Sequence, residues 1–228
     1  MDCIRRQHCV PAPIRRAMEA AERYKSRDPF EIIERRRIKL HMTCRFTDLL
    51  GYFIIKTKVQ HIGVNANVPY ALQRTVAAHE LGHALLHFLE VMQRGSLQDD
   101  TMLYSIAGGK MENEANLFAG ELLLADEDIL TPCHYDSYCE TKEEIREQAA
   151  HYRTKRDKQL FEEETWRDFF MEHPDLPSYD ELAHEHGVDV HLVEFKFLSL
   201  QYKGYDMPNI PETKNDFLTH THFARHPK

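Results

Sequence analysis

The sequence predicts an α+β fold, in which a small β-sheet and one long helix are followed by a mainly helical C-terminal region. Three segments rich in β-branched and aromatic side chains show partial alternation, which is typical of strands: Ile38–Met42, Gly51–Lys58 and His61–Asn65. Pro69 ends the last of them and opens a helix from Tyr70 to about Gln93. Beyond residue 110 helical periodicity dominates. Together these observations indicate a sheet covered by helices.

Two helices are predicted before the sheet. From Pro13 to Tyr24, apolar residues recur at spacings of three and four, and charged residues fill the gaps. Asp28 and Pro29 begin a shorter helix that runs to Arg36, because aspartate caps a helix N-terminus and proline suits the first turn.

After the long helix, residues 95–110 contain glycine, serine and aspartate without a firm period, and we predict a loop. Loops of this length inside a compact domain are often functional. A helix is predicted from Met111 to Leu124, and Asp126 to Leu130 begins a further turn. We therefore expect the first domain to span residues 1–130.

The remainder is predicted to be helical. Residues 131–177 form a highly charged helical insertion. Ser178, with Glu181 three residues later, supplies a capping-box start, and a turn at Gly187 leads into a last helix, Val190–Gln201. Residues 178–205 therefore resemble a small helix-turn-helix module. The proline- and histidine-rich residues 206–228 are predicted to be a loose tail.

Composition excludes several classes of function. The chain has 228 residues, of which 42% are hydrophobic, and a net charge of −8. Residues 1–45 carry a balance of +6 and the rest −14, so a broad nucleic-acid footprint is not expected, although the basic segment could contact an acidic partner. A secretory signal is not evident, and no apolar run approaches the length of a membrane span, about 18 residues. We expect a cytoplasmic protein without membrane contact.

The five cysteines contain no CxxC pair, which favours reduced thiols over a disulfide framework. Cys133 and His134, with Cys139, have the spacing of half a metal site. A second half is not evident in the sequence, so we interpret them as ordinary thiols.

The segment Ala78–His83 contains the motif HExxH within the predicted long helix. Histidines four residues apart lie about one turn apart on the same face, so His79 and His83 can bind one metal ion, and Glu80 can reach the water bound to it. The apolar flanks bury the helix, which makes unpaired polar groups costly there. The motif predicts a zinc-dependent peptidase of the zincin class. His87, one turn further, does not match the spacing of the longer metzincin motif and is interpreted as an outer or packing residue.

A catalytic zinc ion usually has three protein ligands, so another side chain must come from elsewhere. Glu112 and Glu114 lie at the start of the helix that begins at Met111. Glu114 borders the apolar stripe of this helix, whereas Glu112 is rotated about 160° away from it. We therefore predict Glu114 as the third ligand and Glu112 as a solvated carboxylate favoured by the helix dipole.

In this interpretation zinc acidifies its water and Glu80 takes the proton as the water attacks the scissile carbonyl. Tyr104, in the predicted loop, is a candidate second donor to the oxyanion. The substrate would bind as an added strand on a sheet edge, which the strands between Gly51 and Asn65 are expected to provide.

Several linked segments resemble the ImmA/IrrE family of metallo-endopeptidases over roughly residues 14–130. They are Asp28–Ile33, Gly51–Phe53, His61–Asn65, Gln73–His87 and Glu114–Leu124. The resemblance implies a compact gluzincin-like domain, metal ligands that match His79, His83 and Glu114, and cleavage of a helix-turn-helix repressor of a mobile element, prophage or stress circuit. Ala125 stands where many relatives have proline, and the charged segment from Pro132 to His173 is an insertion.

The expected function is therefore a zinc endopeptidase that cleaves a regulatory protein, with one catalytic Zn²⁺ and Mn²⁺ as the other possible ion. The alternative is a zinc-stabilised antirepressor that captures the repressor without cleaving it, which the intact Glu80 disfavours. A DNA-binding role for residues 178–202 is a third interpretation. It is disfavoured because Lys196 is the one basic side chain of that segment among several glutamates. The sequence does not predict the oligomeric state.

Overall fold

The computed structural model describes residues 10–94, 96–100 and 109–207. Helices and strands are mixed in the first part of the chain, which contains α1 (Ala12–Tyr24), α2 (Pro29–Arg35), β1 (Lys39–Thr43), β2 (Leu49–Lys56), β3 (Val59–Asn65), α3 (Tyr70–Leu86), α4 (Phe88–Arg94), β4 (Ser96–Asp100) and α5 (Lys110–Leu123). The described remainder is helical, with α6 (Glu127–Leu130), α7 (Tyr135–Ala149), α8 (Lys155–Glu172), α9 (Tyr179–His186) and α10 (Val190–Tyr202). The predicted α+β fold is confirmed.

The described strands form one sheet in the order β1-β3-β2-β4. β1 pairs with β3 in parallel, and β2 pairs antiparallel with both β3 and β4. The loop predicted for residues 95–110 is wrong in its first part, because Ser96–Asp100 forms β4. The polar sequence of this strand lacks alternation, but an outer strand is held by backbone hydrogen bonds that do not require it. Residues 101–108 lie outside the described residues.

This strand order also corrects the predicted substrate edge. β3 has β1 on one side and β2 on the other, and β2 has β3 and β4. Within the described sheet, the segments between Gly51 and Asn65 are therefore interior strands whose backbone groups are already paired. The outer strands are β1 and β4, and a peptide can add only to one of these.

Helix α3 lies against the sheet and α5, and residues 75–84 are all buried. It packs around apolar side chains from the sheet and from α5, including Phe53, Ile62 and Phe118, all fully buried. At Gly82, an added Cβ would lie 3.1 Å from Phe118 Cδ1 and 3.2 Å from Ala115 Cα. The missing side chain lets α5 approach α3 closely, which brings the first turn of α5 to the HExxH segment.

The helix predicted from Tyr70 to about Gln93 is two helices. It is interrupted at His87, whose φ of −115° and ψ of 19° depart from helical values. The charged segment predicted as helical, residues 131–177, also divides into α7 and α8, which a short connection joins and which pack on each other. Trp166 of α8 stacks on Tyr138 of α7, and Phe169 meets the same ring edge to face and belongs to the main core.

The C-terminal helices share this core. Ser178 and Glu181 form the predicted capping box of α9, and Gly187 ends α9 in the left-handed conformation. Leu192 and Phe197 of α10 belong to the same buried cluster as the sheet and α3. The expected division at residues 130, 177 and 205 stays a prediction, although the core itself is continuous across it. Residues 1–9 and most of the predicted tail, 208–228, lie outside the described residues.

A buried ionic network fastens α10 to α5. Lys196 is fully buried, and its Nζ donates to Glu121 Oε2 at 2.8 Å and to Asp126 Oδ1 at 2.6 Å. Lys203 Nζ donates to Glu121 Oε1 and Asp126 Oδ1, each at 2.6 Å, and Ser199 Oγ donates to Glu121 Oε2 at 2.7 Å. Burial would raise the pKa of Asp126, but the two lysines outweigh it and hold that pKa below its usual value. Lys196 is therefore unavailable for phosphate contact.

No helix among the described residues combines the length and the apolar character required to span a membrane.

Candidate metal centre

Helix α3 brings the three residues of the HExxH motif together in the core. His79, Glu80 and His83 are each at most 1% exposed. Four residues of helix place the two imidazoles on one face, and their Nε2 atoms are 3.0 Å apart. The prediction that both histidines converge at one point agrees with this geometry.

The third group comes from the first turn of α5. Glu112 Oε2 lies 3.2 Å from His79 Nε2 and 3.4 Å from His83 Nε2. Together with the 3.0 Å between the two nitrogens, these distances can be compared with a tetrahedral zinc site. Bonds of about 2.0–2.1 Å at tetrahedral angles separate neighbouring ligand atoms by about 3.3 Å. The donor set and its spacing therefore fit a zinc ion.

The structure does not bring Glu114, the predicted ligand, to this point. Glu114 Oε2 lies instead 3.0 Å from His87 Nε2. The two glutamates do point in different directions, as predicted from their positions on the helix. However, α5 packs against α1, α3 and α10, so most of its surface is buried. The apolar stripe therefore does not identify the face of α5 that meets α3. Asn116, one turn after Glu112 on the same face of α5, contacts His79. The face of α5 that carries Glu112 and Asn116 is therefore the one that faces the histidines.

Glu80 lies beneath strand β2. A Cβ added at Gly51 of β2 would be 2.9 Å from Glu80 Oε1 and 2.4 Å from Val76 Cγ1. Glycine at this position therefore leaves room for the Glu80 carboxylate. Because Gly51 pairs with Asp99 of β4, the outer strand passes close to the same carboxylate.

Side chains that contact the Nδ1 atoms of His79 and His83 orient the two rings. His79 Nδ1 lies 2.7 Å from Asn116 Oδ1, and since that oxygen only accepts, Nδ1 carries the proton and Nε2 keeps its lone pair. His83 Nδ1 lies 2.9 Å from His87 Nδ1, and His87 Nε2 is the atom that meets Glu114. If His87 donates to the Glu114 carboxylate, its Nδ1 must accept from His83, which leaves His83 Nε2 free to bind a cation.

The electrostatics suit a cation. Burial lowers the pKa of His83, which keeps the imidazole neutral at neutral pH. Burial alone would raise the pKa of Glu112, but hydrogen bonds and positive charge from His79 and His83, when these rings are protonated, outweigh this and hold the pKa far below its usual value. A carboxylate and two neutral imidazoles are typical zinc ligands.

Sequence reasoning missed Glu112 and Asn116 as site residues. Their spacing of four residues, which puts both on one face of α5, is a signal that could have paired them. His87 contacts the ring of His83 and is not one of the three converging groups, in agreement with the outer or packing role expected for it. Tyr104 falls in the part of the chain outside the described residues.

Two histidines one turn apart, a buried glutamate beside the first and a carboxylate from a second helix define the HExxH class of metallopeptidase sites. Residues 45–157 match the peptidase M78 family, described as the IrrE N-terminal-like domain. This match confirms the resemblance to the ImmA/IrrE family of peptidases that was noted in the sequence.

The chain is also similar to an uncharacterized immunity region protein 2 of Bacillus phage phi105, with 31% identity over 105 residues. The aligned segment covers 46% of this chain and 63% of the relative, so the match spans less than two thirds of that protein. No solved structure matches the chain.

Proposed function

We propose that this protein is a zinc-dependent endopeptidase in which His79, His83 and Glu112 hold the metal ion and Glu80 is the general base. The observation that carries the proposal is the convergence of the three ligand atoms within 4.8 Å of one another, at spacings close to those of a tetrahedral zinc site. Mn²⁺ is the other ion to test, because the donor set contains a carboxylate.

A zinc ion held by these residues supplies Lewis acidity at the scissile carbonyl. The contribution of the chain is positioning and proton transfer. Glu80 accepts a proton from the attacking water at one carboxylate oxygen and later donates it to the leaving amine. The contacts of Asn116 with His79 and of His87 with His83 fix both rings, so the ligand geometry is preorganised.

The substrate is proposed to bind as an added strand on β4. This strand is the outer neighbour of β2, and Gly51 of β2 packs on Glu80. A peptide paired with the outer backbone of β4 would therefore pass close to the base and the ligands. Such pairing uses main-chain hydrogen bonds for affinity, so the substrate segment must be extended.

For the substrate we propose a transcriptional repressor of the helix-turn-helix type, from a mobile element, prophage or stress circuit. Support comes from the name of the phage relative, which refers to an immunity region. The negative chain and the burial of Lys196 support a protein substrate over nucleic acid.

The test compares the wild type, Glu80→Gln and the exposed control Glu90→Gln for zinc content and for cleavage of the repressor encoded nearest the gene. We expect zinc in all three and cleavage by the wild type and the control only. If the zinc-loaded Glu80→Gln variant releases the repressor from its operator as well as the wild type does, and neither cleaves it, the protein is a binding antirepressor. Absence of zinc from the wild type would contradict the metal centre itself.

A further inference from the structure

A second cluster of metal-ligating side chains lies at the base of the α7–α8 hairpin. His134 immediately precedes α7, His173 immediately follows α8, and Asp175 lies two residues further on. Nitrogen and oxygen atoms of the three side chains lie within 4.8 Å of one another. The cluster contains none of the residues assigned to the catalytic centre. Of Cys133, His134 and Cys139, which the sequence analysis noted as half a metal site, His134 belongs to this cluster.

The distances suit a transition metal. His134 Nε2 lies 3.2 Å from each carboxylate oxygen of Asp175, close to the separation of about 3.3 Å between neighbouring ligands of a tetrahedral ion. The rings of His134 and His173 stack with centroids 4.3 Å apart and planes at 21°. Because imidazole lone pairs lie in the ring planes and these two planes are nearly parallel, His173 must rotate out of the stack to complete the set. Its nitrogen, which lies within 4.8 Å of the other two ligand atoms, must also approach them by up to about 1.5 Å.

Access and charge favour the same conclusion. The Asp175 side chain is 70% exposed and that of His134 is 30% exposed, so an ion can enter from solvent. Asp175 brings a negative charge to the cluster, and histidine binds a metal ion through a ring nitrogen of the neutral imidazole. Two imidazoles and a carboxylate select zinc, nickel or copper over magnesium and calcium, which prefer oxygen ligands.

The neighbouring thiol is not part of the cluster. Cys133 is fully buried in the core, and burial raises the pKa of its thiol to about 12. A thiol with that pKa does not supply the thiolate that a metal binds. The left-handed backbone of His134, with φ of 48°, directs the chain from the buried Cys133 into α7.

We infer that His134, His173 and Asp175 form a second divalent transition-metal site that clamps the two ends of the α7–α8 hairpin together. The ion would join residues from opposite ends of the charged segment 131–177. Binding to the folded chain stabilises it by mass action, so the site would raise the thermal stability of this hairpin.

The experiment measures zinc binding to the full-length chain without an affinity tag, by calorimetry and by metal content after dialysis. The wild type is compared with Asp175→Asn, with the double variant Asp175→Asn/His173→Gln, and with His151→Gln as the matched control. His151 lies at the other end of the same hairpin and is exposed. His220, His222 and His226 are present in every variant, so any zinc they bind cancels in the comparison.

We expect the double variant to bind one equivalent of zinc fewer than the wild type, the control to match the wild type, and all of them to keep their repressor cleavage. Asp175→Asn should weaken the same equivalent at least tenfold, and because its side chain is exposed it should fold normally. Equal stoichiometry and affinity in the wild type and the variants would overturn the proposal. So would variants that change only the pH dependence of stability in zinc-free buffer, which would reduce the cluster to an ion pair between His134 and Asp175.

Discussion

At the scale of single residues, the roles in the site are set by which atom each side chain reaches. Glu112 and Glu114 are two residues apart on α5, yet Glu112 meets His79 and His83 while Glu114 meets His87. In the proposed function, the first binds the ion and the second orients a ligand through another ring. The two roles differ in what their loss should change.

We predict that Glu112→Gln lowers zinc affinity more than about 100-fold, because it removes the negative ligand, and abolishes cleavage. Glu114→Gln should lower affinity by about 10–100-fold or less, the range of residues that act through a ligand, and should keep residual cleavage. Competition with a zinc chelator measures both affinities. The reverse order of the two variants would reinstate Glu114 as the ligand.

Gly51 is the second test at this scale. An added methyl group would lie 2.9 Å from Glu80 Oε1 and 2.4 Å from Val76 Cγ1, so Gly51→Ala must displace the base or the helix. We expect a loss of about 1–3 kcal/mol in stability and at least a tenfold loss in kcat, with zinc content retained. Gly109→Ala is the control, because a Cβ there meets nothing within 4 Å. Unchanged kcat and Tm for Gly51→Ala would show that Glu80 does not need this space.

At the scale of elements, the contact between α5 and α10 combines apolar packing with a buried ionic network. Lys196 and Glu121 are both at most 1% exposed, so their charges depend on each other and on Asp126 and Lys203. Removing one partner of such a pair leaves a buried charge without full compensation, which is more costly than losing a surface ion pair.

Lys196→Met is predicted to lower the free energy of unfolding by about 3 kcal/mol, at the lower end of the range for buried pairs because Lys203 remains beside Glu121. Adding Glu121→Gln should recover part of the loss by removing the charge left behind. Lys158→Met, which breaks an exposed pair with Glu162, should change stability by no more than about 1 kcal/mol. Urea unfolding of the four chains measures this, and equal losses for the two lysines would contradict the network.

At the scale of the whole molecule, the C-terminal helices α9 and α10 belong to the core and pack against the part of the chain that carries the HExxH motif. Arg74 of α3 donates to the carbonyls of His186 and Gly187 at 3.0 and 3.2 Å. The helix that carries HExxH is thus tied directly to the turn between α9 and α10. The helix-turn-helix appearance of residues 178–205 reflects a structural role in this fold.

A chain that ends at Pro177 is therefore expected to lose cooperative thermal unfolding, because the surface of α5 against which α10 packs would be exposed. A chain that ends at Met207 keeps every described element and serves as the control. Calorimetry of the two proteins decides the matter. A cooperative transition in the shorter chain would show that the catalytic part folds independently.

The sequence by itself determined the elements that depend on local patterns. The HExxH motif, the capping box at Ser178 and the strand patterns between residues 38 and 65 all appear in the structure, because spacing along a helix or strand sets which side chains share a face. His79, Glu80 and His83 could be identified for the same reason. Each of these inferences concerns neighbours within one element.

Only the tertiary structure decided the relations between elements. The choice of Glu112 over Glu114 depends on which side of α5 meets α3. The interior place of β2 depends on its pairing with β4, and that of β3 on its pairing with β1. His134 and Asp175 are 41 residues apart in the chain, yet they lie in contact. Packing geometry between distant segments is set by the sum of many contacts, and no local period encodes it.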